Sequence, residues 1–272
     1  MMKKALSIAG SDCSGGAGIQ ADIKTFSAHG IFGMTAVTSV VAENTFRVIE
    51  YQDIRPEIIE RQIDAVFEDI PPDAVKIGML SCNETMAAVA GKLREWKPRN
   101  VVVDPVMYAK NGCALMEPSA ISALIAEIAP LADVVTPNIP EAEKMAEMTI
   151  KTLEDMRQAA RRIHATGCRT VVVKGGHIEG DATDILFDGK NFFEYPARRI
   201  DTRHTHGTGC TFSSAIAANL ALGLTVNHAV ERAKAYVLTA IAHAPELGKG
   251  SGPTHHFYDM YAAFFKEDGI CT

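Results

Sequence analysis

No C-x-x-C pair occurs in the 272 residues; Cys13, Cys82, Cys113, Cys168, Cys210 and Cys271 are widely spread. That spacing excludes the usual zinc site and a disulfide framework. Reduced thiols fit a reducing compartment, so a cytoplasmic location is expected. Positive charge is also scarce. The net charge of -6 argues against a nucleic-acid surface, which needs clustered Lys and Arg. No apolar run reaches the length of a membrane span. Met1-Met2-Lys3-Lys4 leads into a short apolar strand, not into the long apolar region of a signal peptide. Two nucleophile or phosphate motifs are missing. Without G-x-x-x-x-G-K-[ST] a P-loop cannot be the phosphate site, and without G-x-S-x-G there is no hydrolase elbow. No linker, charge block or repeat divides the chain, so residues 1–272 read as one domain.

What is present is a sustained β-α alternation. Strands are expected at residues 5–9, 35–41, 74–77, 100–103, 133–135 and 170–173, with a hairpin at 185–187 and 191–195 around Asp188-Gly189. Helices are expected at residues 19–28, 56–69, 84–96, 118–128 and 153–165, with more after the glycine-rich segment near residue 207. Several strands are continuous apolar runs, as in a mostly parallel sheet covered by helices on both faces. The expected fold is α/β with three layers. Ligands in such sheets bind at the carboxyl ends of the strands. Glu43, Met79, Asp104, Asn138, Glu141 and Lys174 all fall at or just past such ends, which predicts one shared cleft.

The segment Thr205-His206-Gly207-Thr208-Gly209-Cys210-Thr211 precedes a run of small and apolar residues that reads as a buried helix. Gly207 and Gly209 allow a tight turn and a close approach to a ligand. Unpaired amides and the helix dipole at such a start form an anion site. The dipole there is expected to lower the Cys210 thiol pKa. The pattern suggests phosphoryl or acyl transfer; a helix cap with a packed cysteine is the plainer alternative. Phosphoryl transfer also needs positive charge and usually Mg²⁺. Lys174 can supply the charge, and Asn138 and Glu141 oxygen ligands. Singly, Lys174 could be a solvated strand end and Glu141 a helix N-terminal acid.

A competing pattern lies near the N-terminus. Gly16-Ala17-Gly18-Ile19-Gln20-Ala21 fits the dinucleotide fingerprint G-x-G-x-x-A, with Glu43 near where a ribose partner belongs. It points to a nicotinamide-dependent oxidoreductase, or to a turn that needs small residues. His255-His256 reads as a turn or helix start. His204 and His206 flank the glycine site, to orient it or as structural residues.

Several segments together resemble the hydroxymethylpyrimidine/phosphomethylpyrimidine kinases of the ribokinase-like superfamily. They are Ala9-Gly10-Ser11-Asp12 with 14–22, Lys76-Ile77-Gly78-Met79-Leu80, Asp104-Pro105-Val106-Met107, Thr136-Pro137-Asn138, Lys174-Gly175-Gly176-His177 and 205–211. They follow the family order nearly end to end. The resemblance implies ATP- and Mg²⁺-dependent phosphorylation of 4-amino-5-hydroxymethyl-2-methylpyrimidine, then of its monophosphate, for thiamine synthesis. It implies a homodimer, with a monovalent cation as a further requirement to test. Gly10, Ala17, Asp22, Glu43, Met79 and Val106 would surround the pyrimidine. Gly207, Thr208, Gly209 and Cys210 would form the anion hole, with Cys210 the base and Lys174 a phosphate contact. Asn138, Glu141 and Asp104 would sit near Mg²⁺. The chain departs from the family at Glu43, where Gln is common, and at His204, where Asn is common. Pyridoxal-phosphorylating relatives carry a lid Cys before the position of Lys110; Ala109 stands there, which favours the pyrimidine, and Cys113 is out of register. Pyridoxal kinase is the nearest alternative.

Overall fold

The structure is a computed structural model and describes residues 1–109, 112–176 and 180–266. Lys110, His177 and Cys271 lie outside the described residues. Six parallel strands form the centre of one nine-stranded sheet. Strand β1 (Lys4–Asp12) pairs with β2 (Phe32–Asn44) on one side and β4 (Ala74–Ile77) on the other. The parallel run continues through β5 (Val101–Val103), β6 (Val134–Val135) and β7 (Val171–Val173). Antiparallel strands finish both edges: β3 (Arg47–Asp53) on β2, then β8 (Asp184–Phe187) and β9 (Phe192–Tyr195) beyond β7.

The period of two along each strand sorts these apolar runs onto two faces. Leu6, Ile8, Val75, Ile77, Val101, Val103, Val135, Val171 and Val173 share one core. Helices α2 (Pro56–Asp69), α3 (Asn83–Trp96), α4 (Pro118–Ala123), α5 (Ile139–Ala146) and α6 (Leu153–His164) contribute to it. The alternate residues Ala5, Ala74, Val102, Val134 and Val172 pack on the other face. There they meet α1 (Gly18–Ala28), α7 (Thr208–Ala221) and α8 (Val226–Ala242). Helix α9 (Tyr258–Lys266) follows. The three expected layers are present.

Three local differences from the sequence reading have physical causes. The expected helix at 118–128 is α-helical only to Ala123; Leu124–Ile128 widens into a π-helical turn and Ala129–Leu131 tightens into a 3₁₀ turn. Pro130 lacks the N–H that would continue the α-helical ladder. Strand β3 was not expected; it forms an edge hairpin with β2 in which Ile49 and Tyr51 are exposed and Val48 is half-buried. Helix α5 was foreseen only in the alternative that makes Glu141 a helix N-terminal acid. It starts at a capping box in which Asn138 Oδ1 accepts from Glu141 N and Glu141 Oε2 accepts from Asn138 N.

The chain steps from β1 to β2 on one side and later to β4 on the other. This reversal opens a crevice at the carboxyl ends of the strands. It explains why residues just past β1, β2, β4, β5, β6 and β7 meet there.

Candidate active site

A cavity of about 620 Å³ occupies that crevice. One end is made by the start of α7. Gly207 is the N-cap in a left-handed conformation, φ 75°, and a Cβ there would collide with the Gly16 carbonyl. Only glycine meets both demands. Among the described residues no side chain caps this helix, and Gly209 and Cys210 amides have no backbone acceptor. The helix is buried from Thr211 to Ala221, so its dipole ends in the cavity rather than in bulk water.

Facing Gly209 is an ion pair. Lys174 Nζ donates to Asp104 Oδ1 at 2.8 Å, and a Cβ on Gly209 would lie 3.3 Å from Asp104 Oδ2 and 3.4 Å from Lys174 Nζ. Burial alone would lower the Lys174 pKa, but Asp104 and Glu141 hold it above its ordinary value. Thr136 Oγ1 also donates to Asp104 Oδ1, at 3.2 Å. Burial pushes the Glu141 carboxyl up to about 7, with Asp104 adding to the shift and Lys174 and the Asn138 and Met107 amides opposing it. Two carboxylates that disfavour each other's charge, beside an amide oxygen, are a donor set that a hard cation would relieve. Asn138 and Glu141 are therefore cap residues that also line the cavity.

Another part of the lining is apolar with an acidic group beside it. Val41, Met79 and Leu115 form a small cluster of their own, with Val48, Val106 and Ala109 against it. Beside it, Asp12, Glu43 and His206 bring their polar atoms within 4.8 Å of one another. Asp12 Oδ2 accepts from Gly16 N (3.0 Å), Ala17 N (2.7 Å) and His206 Nε2 (2.9 Å), and Oδ1 from Ser14 N (2.7 Å). Burial would raise this carboxyl, yet the bonds from His206, Ser14 and Ala17 prevail and hold it well below the usual range. Glu43 responds in the opposite sense. Burial, and then the adjacent Asp12 charge, push it up to about 7, against a smaller pull from His206.

Gly10, Ala17, Glu43, Met79, Val106, Asp104, Asn138, Glu141, Lys174 and the Gly207–Cys210 segment all line this one cavity. Asp22 does not. It is fully buried beneath the site, accepting from Ser7 Oγ (2.5 Å), Ser214 Oγ (2.7 Å) and Lys76 Nζ (2.9 Å). Its position inside α1 directs it into the sheet, where it forms a buried ion pair that ties β1, β4 and α7 together.

The expected low thiol pKa of Cys210 is corrected. Burial pushes the thiol up to about 12. Lys76 and the Gly18 amide pull it down, but Asp22 and Asp104 oppose them. The helix dipole acts within this desolvated setting and does not prevail.

The dinucleotide fingerprint fails for a stated reason: the Gly16 and Ala17 amides that should bind a pyrophosphate already donate to Asp12. Gly18, at φ 55°, is pressed against the Gly10 carbonyl, so these small residues serve loop packing.

Sequence reasoning gave no role to Asp12, Lys76, Arg198 or Arg199, all of which line the cavity. Asp12 had a signal, an acid followed at once by a glycine-rich helix start whose amides it can accept.

The family model described as "Phosphomethylpyrimidine kinase" matches residues 12–255. The chain is 53% identical over 258 residues to a hydroxymethylpyrimidine/phosphomethylpyrimidine kinase of Rhizobium meliloti, covering 93% of this chain and 97% of that protein. Among solved structures it resembles the phosphomethylpyrimidine kinase of Clostridium difficile (TM-score 0.80, 46% identity, covering 88% and 99%). It also resembles a Bacillus subtilis pyridoxal kinase in complex with ADP (TM-score 0.89, 41% identity, covering 94% and 98%). These matches overturn the oxidoreductase alternative. A nine-stranded ribokinase-like sheet, one cleft at its switch point and a match spanning most of the sequence lead to one conclusion: the chain belongs to the phosphomethylpyrimidine kinase family and is a phosphotransferase.

Proposed function

We propose that this kinase transfers the terminal phosphoryl group of ATP to 4-amino-5-hydroxymethyl-2-methylpyrimidine, and then a second one to the monophosphate, giving the diphosphate used to build thiamine. The observation that carries this reading is one cavity lined both by an apolar slot and by an open helix start. The slot of Val41, Met79, Val106 and Leu115 with Glu43 at its edge suits a small polar heterocycle. The open amides at the start of α7, with Lys174 across from Gly209, suit a transferring phosphoryl group.

The substrate hydroxyl oxygen attacks the terminal phosphorus, the bond to the ADP oxygen breaks, and the hydroxyl proton leaves. The Gly209 and Cys210 amides take up charge developing on the phosphoryl oxygens, and Lys174 stands beside them. Cys210 can accept a proton only as a thiolate; its raised pKa keeps it a thiol, so it acts as a hydrogen-bonding helper, and the hydroxyl proton moves late to an oxygen of the transferred phosphoryl group. Asp104, Glu141 and Asn138 would hold Mg²⁺, directly or through water, and the ion would neutralise phosphate charge. ATP use is supported by related kinases solved with ATP analogues.

The protein is proposed to act in the cytoplasm as a homodimer. Among the described residues no helix is long and apolar enough to cross a membrane. The β2–β3 ribbon exposes Ile49 and Tyr51 on one face and Val40 on the other, apolar surface of the kind that an identical copy covers. A monovalent-cation requirement is tested by assay with K⁺ against Na⁺.

A second reading, phosphorylation of pyridoxal at the same site, is supported by the 0.89 TM-score to a pyridoxal kinase. Ala109 at the lid weighs against it. The test is a time course with ATP, Mg²⁺ and the aminopyrimidine alcohol. The proposal expects monophosphate to appear first and diphosphate to follow; a reaction that halts at the monophosphate contradicts it.

A further inference from the structure

Glu43 is an unusual residue with which to read an aminopyrimidine. The ring offers an N–H₂ donor beside an acceptor nitrogen, so its partner must accept once and donate once. An ionised carboxylate only accepts. A carboxylic acid does both: its C=O accepts from the amine and its O–H donates to the ring nitrogen. The same pairing holds if the proton crosses to the ring, because two N–H groups then face two carboxylate oxygens. Either way the pair holds one proton, and something must keep it there near neutral pH.

The surroundings of Glu43 are built to do so. Asp12 is 2% exposed, anchored by two amides of the α1 turn, by Ser14 N and by His206 Nε2. An ionised Asp12 has no proton to give, so His206 donates to it from Nε2. This fixed negative charge lies within 4.8 Å of Glu43. On the strand side, Cys13 Sγ and the Glu43 backbone are joined in both directions, Sγ to O at 3.1 Å and N to Sγ at 3.4 Å. The charged groups acting on the Glu43 carboxyl are Asp12 from the end of β1, which raises its pKa by its charge and by a hydrogen bond between the two side chains, and His206 from the segment before α7, which lowers it. In the free protein the Glu43 proton faces Asp12, and it turns to the ring nitrogen when the pyrimidine binds. Lys76 and Lys174 belong to other parts of the cavity wall.

We propose that Asp12 and His206 are positioning residues that keep one proton on Glu43, so that this carboxyl reads the amine and the adjacent ring nitrogen as a glutamine would. The inference rests on the reading that places the pyrimidine at Glu43. Asp12 disfavours a second negative charge beside it, and the four bonds it accepts stop it from taking the proton itself. His206 holds Asp12 in place and limits how far the shift goes. Ring affinity then falls as pH rises through about 7, the range to which Glu43 is raised.

The test is calorimetric binding of the aminopyrimidine alcohol to the full chain across neutral pH, which needs no turnover. Wild type should lose affinity as pH rises, and Glu43→Gln should bind with that limb flattened. Asp12→Asn should move the midpoint down by about one pH unit or more. His206→Gln, which keeps an N–H donor toward Asp12, should move it up. In the Glu43→Gln background neither change should create a pH limb. Opposite shifts are not produced by a general loosening of the site. If Asp12→Asn does not fold, the sign of the His206→Gln shift decides. A flattened limb in Glu43→Gln with unmoved midpoints in the other two overturns the proposal and leaves the pyrimidine at Glu43. Unchanged affinity and profile in Glu43→Gln instead remove the ring from Glu43.

Discussion

Cys210 and Asp22 show how environment sets what a residue can do. Both came from family-like motifs and lie near the same helix start, Asp22 fully buried and Cys210 half-buried. The thiol is pushed up to about 12, so any part it takes in proton transfer begins from the neutral form. Cys210→Ala should lower kcat by about 10²-fold, the low end for loss of an acid–base group, with ATP binding nearly intact. Cys210→Ser should recover part of that loss through its hydroxyl. Near wild-type kcat in the alanine variant would remove Cys210 from the reaction. Asp22 makes the complementary case. Its carboxylate partners Lys76, which is wholly buried, and breaking such a pair from one side costs about 3–5 kcal/mol. Asp22→Asn should therefore lower the unfolding midpoint while leaving KM for the pyrimidine within about twofold. A raised KM with unchanged stability would return Asp22 to the ring site. The motif placed Asp22 in the right neighbourhood. It could not say that the side chain turns inward, because that depends on Ser7, Lys76 and Ser214 from three other elements.

At the scale of elements, the parts written in local sequence were legible and the parts set by neighbours were not. Apolar runs such as Val101–Val103 and Val171–Val173 announce buried parallel strands. The start of α7 was visible from its glycines and the apolar run behind them. Helix α5 stayed an alternative because Pro137 and Pro140 read as punctuation, although Asn138 and Glu141 stand at capping-box spacing. Strand β3 was hidden because it is an exposed edge without a buried face to impose a pattern. The π-helical turn at Leu124–Ile128 answers to Pro130, whose effect on a preceding helix is foreseeable but whose form is not. The tightest local constraint is Gly207. Gly207→Ala would put a Cβ into the Gly16 carbonyl at a positive φ. It should cost at least about 1 kcal/mol of stability, and should lower kcat by displacing the Gly209 and Cys210 amides. A variant with normal kcat and normal melting would show that this turn is not the anion site.

Across the whole molecule, the order β3-β2-β1-β4-β5-β6-β7-β8-β9 turns residues distant in sequence into one cavity. Asp12 and His206 are brought to 2.9 Å although 194 positions separate them. The switch point beside β1 puts the acid-tipped apolar slot and the open start of α7 in the wall of one cavity. That geometry serves a ring with a hydroxymethyl arm reaching toward a phosphoryl donor. Pyridoxal has a similar outline, so outline alone does not choose the substrate; in the proposed function that choice falls to the polar edge at Glu43. The measurement that bears most directly on this is kcat/KM for the aminopyrimidine alcohol and for pyridoxal, taken with ATP and Mg²⁺ on the same preparation. Preference for the pyrimidine by about tenfold or more, the worth of one well-matched buried hydrogen bond, is the predicted result. Equal or greater kcat/KM for pyridoxal would contradict it.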